Sequence, residues 1–438
     1  MEKFHFTQTS DACIKCGKCI PVCTIHRINP DEVTSPRGFI DLLGAYERGE
    51  LDLDRNAKDI FESCFLCTAC TDVCPNSLPT DMVIEEVRAD IAKKYGIAWY
   101  KRAFFLLLRH RWLMDIVMKL GYTFRTCAFS EKPERGGMVP HFDLPIIKRG
   151  RLLPSLSKKS FLNKYPEEIR HGGRRRVAIF IGCLANYNYT SVGDSLIKIL
   201  EELEIDAYIP PLQKCCSAPA YFTGDFDTVE KLGKENIEYF ESFIDDVEAI
   251  IIPEATCSAM IRHDWEVFFR NRGMELWADR ARKLSEKIYM ATEWLEEFTD
   301  LSDRLSRSGI KMSEKITYHD ACHAGKVQGI YDQPRNLISR CYDISEMSEP
   351  GRCCGFGGVT MQTEKYHLAK AAGRPKAAMI EESGADIVSA ECSACRMQIS
   401  DSLYGNGVEV EFKNPIELIA EALEEAKKIS RKDKEDLK

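Results

Sequence analysis

Between Arg174 and Ala420 the chain repeats itself, and the repeat is written in cysteine. Four β-like runs end on a thiol: VAIFIGC at Cys183, AIIIPEATC at Cys257, ITYHDAC at Cys322 and ADIVSAEC at Cys392. Each copy also carries an adjacent pair, Cys215-Cys216 and Cys353-Cys354. Cys183 and Cys322 lie 139 residues apart, the pairs 138 apart, and Cys257 and Cys392 135 apart. Offsets that agree this closely predict one structural unit used twice. Amphipathic segments such as SVGDSLIKILEELE and PKAAMIEESG separate the runs, so each copy reads as an α/β unit around a parallel sheet. Ligands of such sheets gather outside the carboxyl ends of the strands, where these cysteines fall.

A second duplication occupies the N-terminal part. Cys13, Cys16, Cys19 and Cys23 have the spacing C-x2-C-x2-C-x3-C, and Cys64, Cys67, Cys70 and Cys74 repeat it before Pro75. Three cysteines two apart wrap one corner of a cubane while the more distant fourth reaches the neighbouring cluster. The spacing predicts two [4Fe–4S] sites with exchanged ligands: Cys13, Cys16, Cys19 with Cys74, and Cys64, Cys67, Cys70 with Cys23. Thr24 stands where the pattern usually has Pro, which questions the turn and not the ligation. A zinc ribbon would use two C-x2-C pairs instead.

In the repeat, adjacent thiols sit poorly at one corner of a cubane but suit an opened cluster in which a thiolate bridges irons. The second copy is complete, with Cys322, Cys353, Cys354, Cys392 and Cys395, and CCGFGG supplies Gly355, Gly357 and Gly358 for close backbone approach. The first copy has Cys183, Cys215, Cys216 and Cys257, but Met260 replaces the last thiolate and Ser217 the glycine. Those four thiolates are compatible with a [4Fe–4S] cluster, with zinc, or with no metal. His319, Asp320 and His323 flank Cys322 either as proton carriers or as strand-end caps. Cys127 and Cys341 fit neither repeat and are expected as buried free thiols.

The remaining composition narrows the setting. The opening MEKFHFTQTSDAC has no apolar core of a secretion signal, so 19 cysteines are expected in a reducing compartment, as ligands and not as disulfides. A net charge of −8 argues against nucleic acid as a partner. No run approaches the ~20 apolar residues that span a bilayer; the best, Ala103 to Leu108, is closed by Arg109, His110 and Arg111. The aromatic and basic stretch from Trp99 to Phe124 suits a membrane interface, or packing against a partner or its own domain. No G-x-G-x-x-G follows a strand and no phosphate-loop lysine motif occurs, so no flavin is expected on this chain. The expected class is α+α/β, a helical two-cluster ferredoxin-like domain followed by two repeated α/β cysteine-rich modules. Its divisions are 1–95 (ferredoxin-like), 96–173 (amphipathic helix and linker), 174–300 (degenerate module), 301–420 (complete module) and 421–438 (a helix fraying into a charged tail).

Taken together, the two ferredoxin motifs with GCLANYNYTSVGDSLIKILEELE, CCSAP, EATCSAM, YHDACH, RCCGFGG and ECSAC resemble a known family. They are similar to the iron–sulfur subunits of quinone-linked flavoprotein dehydrogenases, namely those of anaerobic glycerol-3-phosphate dehydrogenase and glycolate oxidase, and to the catalytic iron–sulfur subunit of heterodisulfide reductase. The resemblance covers nearly the whole chain. It implies a noncubane [4Fe–4S] cluster on Cys322, Cys353, Cys354, Cys392 and Cys395. It also implies a partner flavoprotein acting on glycerol 3-phosphate or a 2-hydroxy acid, the membrane quinone pool as acceptor, and a peripheral place on the inner face of the cytoplasmic membrane. A disulfide reductase acting at the noncubane site is the alternative it leaves, and a zinc-holding scaffold is a third reading.

Overall fold

The computed structural model describes residues 4–143 and 146–436. Its N-terminal part is helical: α1 (Phe6–Ala12), α2 (Thr24–Ile28), α3 (Pro36–Glu47), α4 (Arg55–Glu62), α5 (Ala69–Asp72) and α6 (Thr80–Tyr95). Local chemistry sets the starts of these helices. The Ser35 hydroxyl accepts from Gly38 N with Pro36 at the first position of α3, and Asp54 accepts from Ala57 N at the start of α4. Phe39, Phe61, Ile84 and Val87 form the buried seam between these helices.

Helices α7 (Trp99–Arg109) and α8 (Arg111–Ala128) follow, broken at His110. They are amphipathic in an inverted sense. Phe105, Leu108 and Met114 are buried, but Trp99 (77 %), Trp112 (65 %), Leu120 (53 %) and Phe124 (61 %) face outward with Leu106, Ile116 and Val117. Residues 112, 116, 120 and 124 fall on one helical stripe, so α8 turns an apolar stripe to the outside. That orientation also corrects one expectation. Cys127, at the end of α8, is exposed and not buried, whereas Cys341 is buried as expected.

The stretch expected as linker is more than that. It forms a three-stranded antiparallel sheet, β1 (Phe129–Lys132), β2 (Gly137–Pro140) and β3 (Leu153–Pro154). Its Pro and Gly residues serve tight turns, and it is strapped to the second module. Arg151 donates to Gln362 O at 2.7 Å, Leu152 N to Asp401 at 2.8 Å and Arg135 to Val408 O at 2.8 Å.

The first module is a five-stranded sheet of β4 (Glu168–Ile169), β5 (Arg176–Ile179), β6 (Asp206–Tyr208), β7 (Ile250–Ile252) and β8 (Ile288–Met290), in the order β4-β6-β5-β7-β8. All its pairings are parallel except that of β4. The second is an all-parallel sheet of β9 (Lys315–Tyr318), β10 (Asp343–Ile344), β11 (Ile387–Ser389) and β12 (Glu411–Lys413), in the order β10-β9-β11-β12. In each sheet the strand order reverses beside the first strand of the repeat. Cys183 and Cys257 follow β5 and β7, and Cys322 and Cys392 follow β9 and β11, so all four sit at a topological switch point.

The modules are joined by reciprocal buried bonds. The Glu254 carboxylate accepts from Ser393 N at 2.8 Å and from its hydroxyl, while the Glu391 carboxylate accepts from Thr292 N at 3.2 Å and from its hydroxyl. The last helix, Pro415–Asp436, is no loose tail at its start. Ile416, Leu418, Ile419 and Ala422 are buried in the cluster that holds Leu196 and Leu200 of the first module. The final two residues of the expected charged tail lie outside the described residues.

Candidate functional site

The two N-terminal cysteine loops share one backbone shape. Lys15 (φ +56°) and Gly17 (φ +78°) flank Cys16, and Leu66 (φ +50°) and Thr68 (φ +56°) flank Cys67, all left-handed. For Leu66 this conformation is strained, of order 1–3 kcal/mol, and the alternation turns successive thiols toward a common point. Cys19 has Cys13, Cys16 and Cys74 as its charged neighbours, and Cys70 has Cys64, Cys67 and Cys23. The thiols thus lie in two groups, each of three from one loop and one from the other. Thr24 begins α2 with its hydroxyl 3.5 Å from Cys67 Sγ, so the missing proline leaves the turn intact. Burial pushes Cys23 and Cys64 up to about 12. Ionising such thiols together needs a cation in their midst, which iron supplies.

In the second module Cys354 Sγ lies 3.5 Å from Cys395 Sγ, Cys353 contacts both Cys322 and Cys354, and Cys395 N donates to Cys392 Sγ at 3.4 Å. All five thiols are thus in one site. His319 belongs to it. Its Nδ1 is 3.0 Å from the Pro350 carbonyl, which can only accept, so Nε2 carries the lone pair. That Nε2 is buried, finds no partner among the described residues, and shares a group with Cys354 and Cys395 whose ligand atoms all lie within 4.8 Å. His323 Nδ1 is 3.8 Å from Cys322 Sγ, whereas Asp320 is taken by Arg335 at 2.6 Å and is structural.

Two lysines accompany this site, Lys376 buried and Lys326 half-buried, and sequence reading missed both. Lys376 is fully buried, its Nζ donating to Glu349 O at 2.8 Å, and burial pushes it down to about 8 against the pull of Cys354, Cys353 and Cys395. Burial likewise opposes the charge of Lys326, but the thiols Cys67, Cys322 and Cys353 hold its pKa above the ordinary value. Neither residue has a sequence signal, because each is an unremarkable helix lysine until the fold closes over it.

The first module keeps the loop but not the chemistry. Ser217 adopts φ +76° where Gly355 adopts φ +92°, so the turn after the cysteine pair survives the loss of its glycine. Cys216 and Cys257 are 3.3 Å apart, and contact with Cys215 together with burial raises Cys183. A Cβ on Gly182 would meet Cys257 Sγ at 3.1 Å, so the backbone must pass bare beside that thiol. Met260 is buried at the head of a π-helical turn, Met260–Asp264, and the charge facing these thiols is the carboxylate of Glu254. Four thiolates and no buried lysine partner make this a different site from its copy.

The two halves of the molecule meet beside these thiols. Cys67, in the middle of the second N-terminal loop, shares one buried cluster with Cys353 of the second module, and the influence of that neighbour draws Cys67 down to about 6. Arg88 of α6 clamps the same junction, donating to Phe222 O at 2.9 Å, Cys64 O at 2.7 Å, and Phe61 O and Glu62 O at 3.3 Å.

Known proteins share this arrangement. The profile described as "Cysteine-rich domain" matches residues 177–262 and 316–400, and "4Fe-4S dicluster domain" matches 9–78. Lactate utilization protein A 1 of Bacillus mycoides is 30% identical over 255 residues, which span 58% of this chain and 98% of that protein. The chain belongs to this iron–sulfur family. Within it, "Probable glycolate oxidase iron-sulfur subunit" of Bacillus subtilis is 27% identical over 79% of both chains. A subunit of the fumarate reductase (CoM/CoB) of Methanothermobacter marburgensis is 27% identical over 95% of this chain and 73% of its own. A crystal structure of a hypothetical protein from Helicobacter pylori shares the fold, with a TM-score of 0.53 and 11% identity over 95% of this chain and 74% of that one. Family membership makes residues 9–78 a [4Fe–4S]-binding domain.

Proposed function

We propose that this chain is the electron-transfer subunit of a flavoprotein dehydrogenase complex, carrying electrons singly from the flavin to membrane quinone. Cys13, Cys16, Cys19 and Cys74 hold one cubane, and Cys64, Cys67, Cys70 and Cys23 the other. Cys322, Cys353, Cys354, Cys392 and Cys395 hold a noncubane cluster, and Cys183, Cys215, Cys216 and Cys257 hold a lesser [4Fe–4S] or zinc site. The observation that carries this reading is the placing of Cys67 and Cys353 in one buried cluster, which makes the second N-terminal loop and the second module's thiols neighbours. Half-buried Lys326 beside both thiols offsets the charge of an added electron. Relatives named for glycolate and lactate favour a 2-hydroxy acid over glycerol 3-phosphate as the partner's substrate.

The test is anaerobic purification from the source cells. A flavoprotein should co-purify, and its 2-hydroxy acid should bleach the cluster absorbance of the complex. Cys67→Ser should remove one cubane signal, leave the noncubane signal, and block that reduction. An unchanged iron content in the variant refutes the ligand set. A disulfide reductase, which the likeness to the CoM/CoB enzyme favours, would instead turn over a disulfide with no flavoprotein attached.

No helix among the described residues is long and apolar enough to cross a membrane. The outward stripe of α7 and α8 instead suits the lipid interface of the inner face of the cytoplasmic membrane, with Arg102 and Lys119 exposed beside it. Burying one large side chain contributes roughly 1.5–3 kcal/mol. Trp112→Glu with Phe124→Glu should therefore weaken binding to anionic vesicles by more than about tenfold, as read by flotation. Equal flotation of variant and parent would exclude this face.

A further inference from the structure

The two cysteine-rich modules and α7 enclose a cavity of about 330 Å³ that the relay described above leaves unused. Its walls are apolar and come from three parts of the fold: Phe104 of α7, Leu184, Pro219 and Phe222 of the first module, and Phe356 and Met397 of the second. Cys183, Cys216 and Cys257 border one side. Ala394, between Cys392 and Cys395, borders another, as does Thr256, whose hydroxyl is 3.7 Å from Cys392 Sγ. One apolar space thus adjoins the thiols of the first module and the loop between Cys392 and Cys395 of the second. Its size is that of a small-molecule site.

We propose that this cavity holds the ring of an uncharged lipid-phase quinone, the terminal acceptor of the electrons; the proposal rests on the electron-transfer reading above. Three observations choose the ligand. First, the walls offer little to a charged molecule. The one ammonium among them, Lys101, is buried and already matched by Glu364 at 2.8 Å, and the Glu254 carboxylate is held by Ser393. An anionic disulfide or nucleotide would bring unmatched charge into an apolar space. Second, the cavity borders the thiols of the first module and, through Ala394 and Thr256, reaches the loop that carries Cys392 and Cys395, a position that a plain lipid chain would not use. Third, α7 forms both a wall of the cavity, through Tyr100, Lys101 and Phe104, and part of the outward apolar face, through Trp99 and Leu106. A lipid-phase carrier therefore meets the cavity at the same helix that meets the lipid.

The reaction balances with groups on hand. The quinone accepts two electrons, one at a time, from the reduced clusters, which the partner flavoprotein refills. It takes two protons, and its two C=O groups become C–OH as the ring becomes aromatic. The protons come from water by way of Glu364, whose side chain is 35 % exposed and which bonds both Lys101 and the Tyr100 hydroxyl.

The experiment uses the full, cluster-loaded chain, reduced anaerobically and mixed with either a short-chain naphthoquinone or ferricyanide. Val359→Trp and Phe104→Trp fill the cavity from the second module and from α7. Each should slow oxidation by the quinone by roughly tenfold or more and leave oxidation by ferricyanide unchanged, with iron content confirming that the variant is intact. A photoreactive azido-naphthoquinone should label the unsubstituted protein on peptides 98–109, 216–222 or 356–363. Quinone oxidation at the parental rate in an intact variant, or label confined to other peptides, overturns the cavity assignment while leaving electron transfer to quinone standing. A parent protein that ferricyanide oxidises and the quinone does not would instead overturn the electron-transfer reading itself.

Discussion

Cys354→Ser is expected to stop electron transfer beyond the cubanes, while Cys216→Ser, its counterpart in the first module, is expected to slow it little. Cys354 is buried, 3.5 Å from Cys395 and beside Cys353, so it would be among the thiolates that hold a cluster bound there. A hydroxyl there is a poor iron ligand. Even outer partners of metal ligands cost about 10–100-fold when removed, so loss of the thiolate itself should exceed about a hundredfold. The first module lacks a fifth thiolate, because the thioether of Met260 is a much weaker ligand in this setting. The charges around the sites point the same way. Five ionised thiols would make a strongly anionic site, and Lys326 and Lys376 lie beside these five, whereas the first site faces Glu254. Freeze-quench spectroscopy of the reduced complex, with metal analysis, checks both variants. Equal sensitivity of the two, or the unusual cluster signal surviving in Cys354→Ser, would refute the argument from ligand count.

Arg88→Met should be the most damaging single change outside the thiols. The guanidinium is buried among the carbonyls of Phe61, Glu62, Cys64 and Phe222, and among the described residues no other side chain donates to those four oxygens. Leaving a buried acceptor without its donor costs about 1–3 kcal/mol, and lysine cannot replace a planar fork that serves several acceptors. Because one acceptor is the backbone of Cys64 and another lies in the first module, two effects are expected together. Denaturant midpoints should fall, and the cubane of the Cys64 loop should be lost on gel filtration while the second-module signal remains. Full retention of iron and stability in Arg88→Met would show that the clamp is dispensable.

Much of this is legible in the chain as written, for a physical reason. Ligand spacing along a loop is a local property: Cys13, Cys16 and Cys19, and Cys64, Cys67 and Cys70, each supply three thiols of a group from one short loop, and the left-handed turns at Lys15 and Leu66 that shape it are equally local. The duplication is legible because parallel β/α units space their strand ends evenly, which puts Cys183, Cys257, Cys322 and Cys392 at corresponding strand ends of the two copies. The segment after α8 reads as linker because a short Pro- and Gly-rich antiparallel sheet has the composition of a loop. Cys127 reads as buried because an apolar helix stripe implies a cover, and here nothing among the described residues covers it.

What the sequence determined, then, is the inventory of sites and the strand ends that carry them. What only the tertiary structure decided is how those sites face one another. Cys67 meets Cys353, Lys101 meets Glu364, and Arg88 meets Phe222 across separations of more than a hundred residues. Such meetings have no period and no motif. They arise when separate apolar faces share one core, as those of the N-terminal helices and the first module do. The lysines beside the thiols, the buried unpartnered Nε2 of His319 and the apolar cavity between the modules exist only because that packing brings distant, individually ordinary residues into one place.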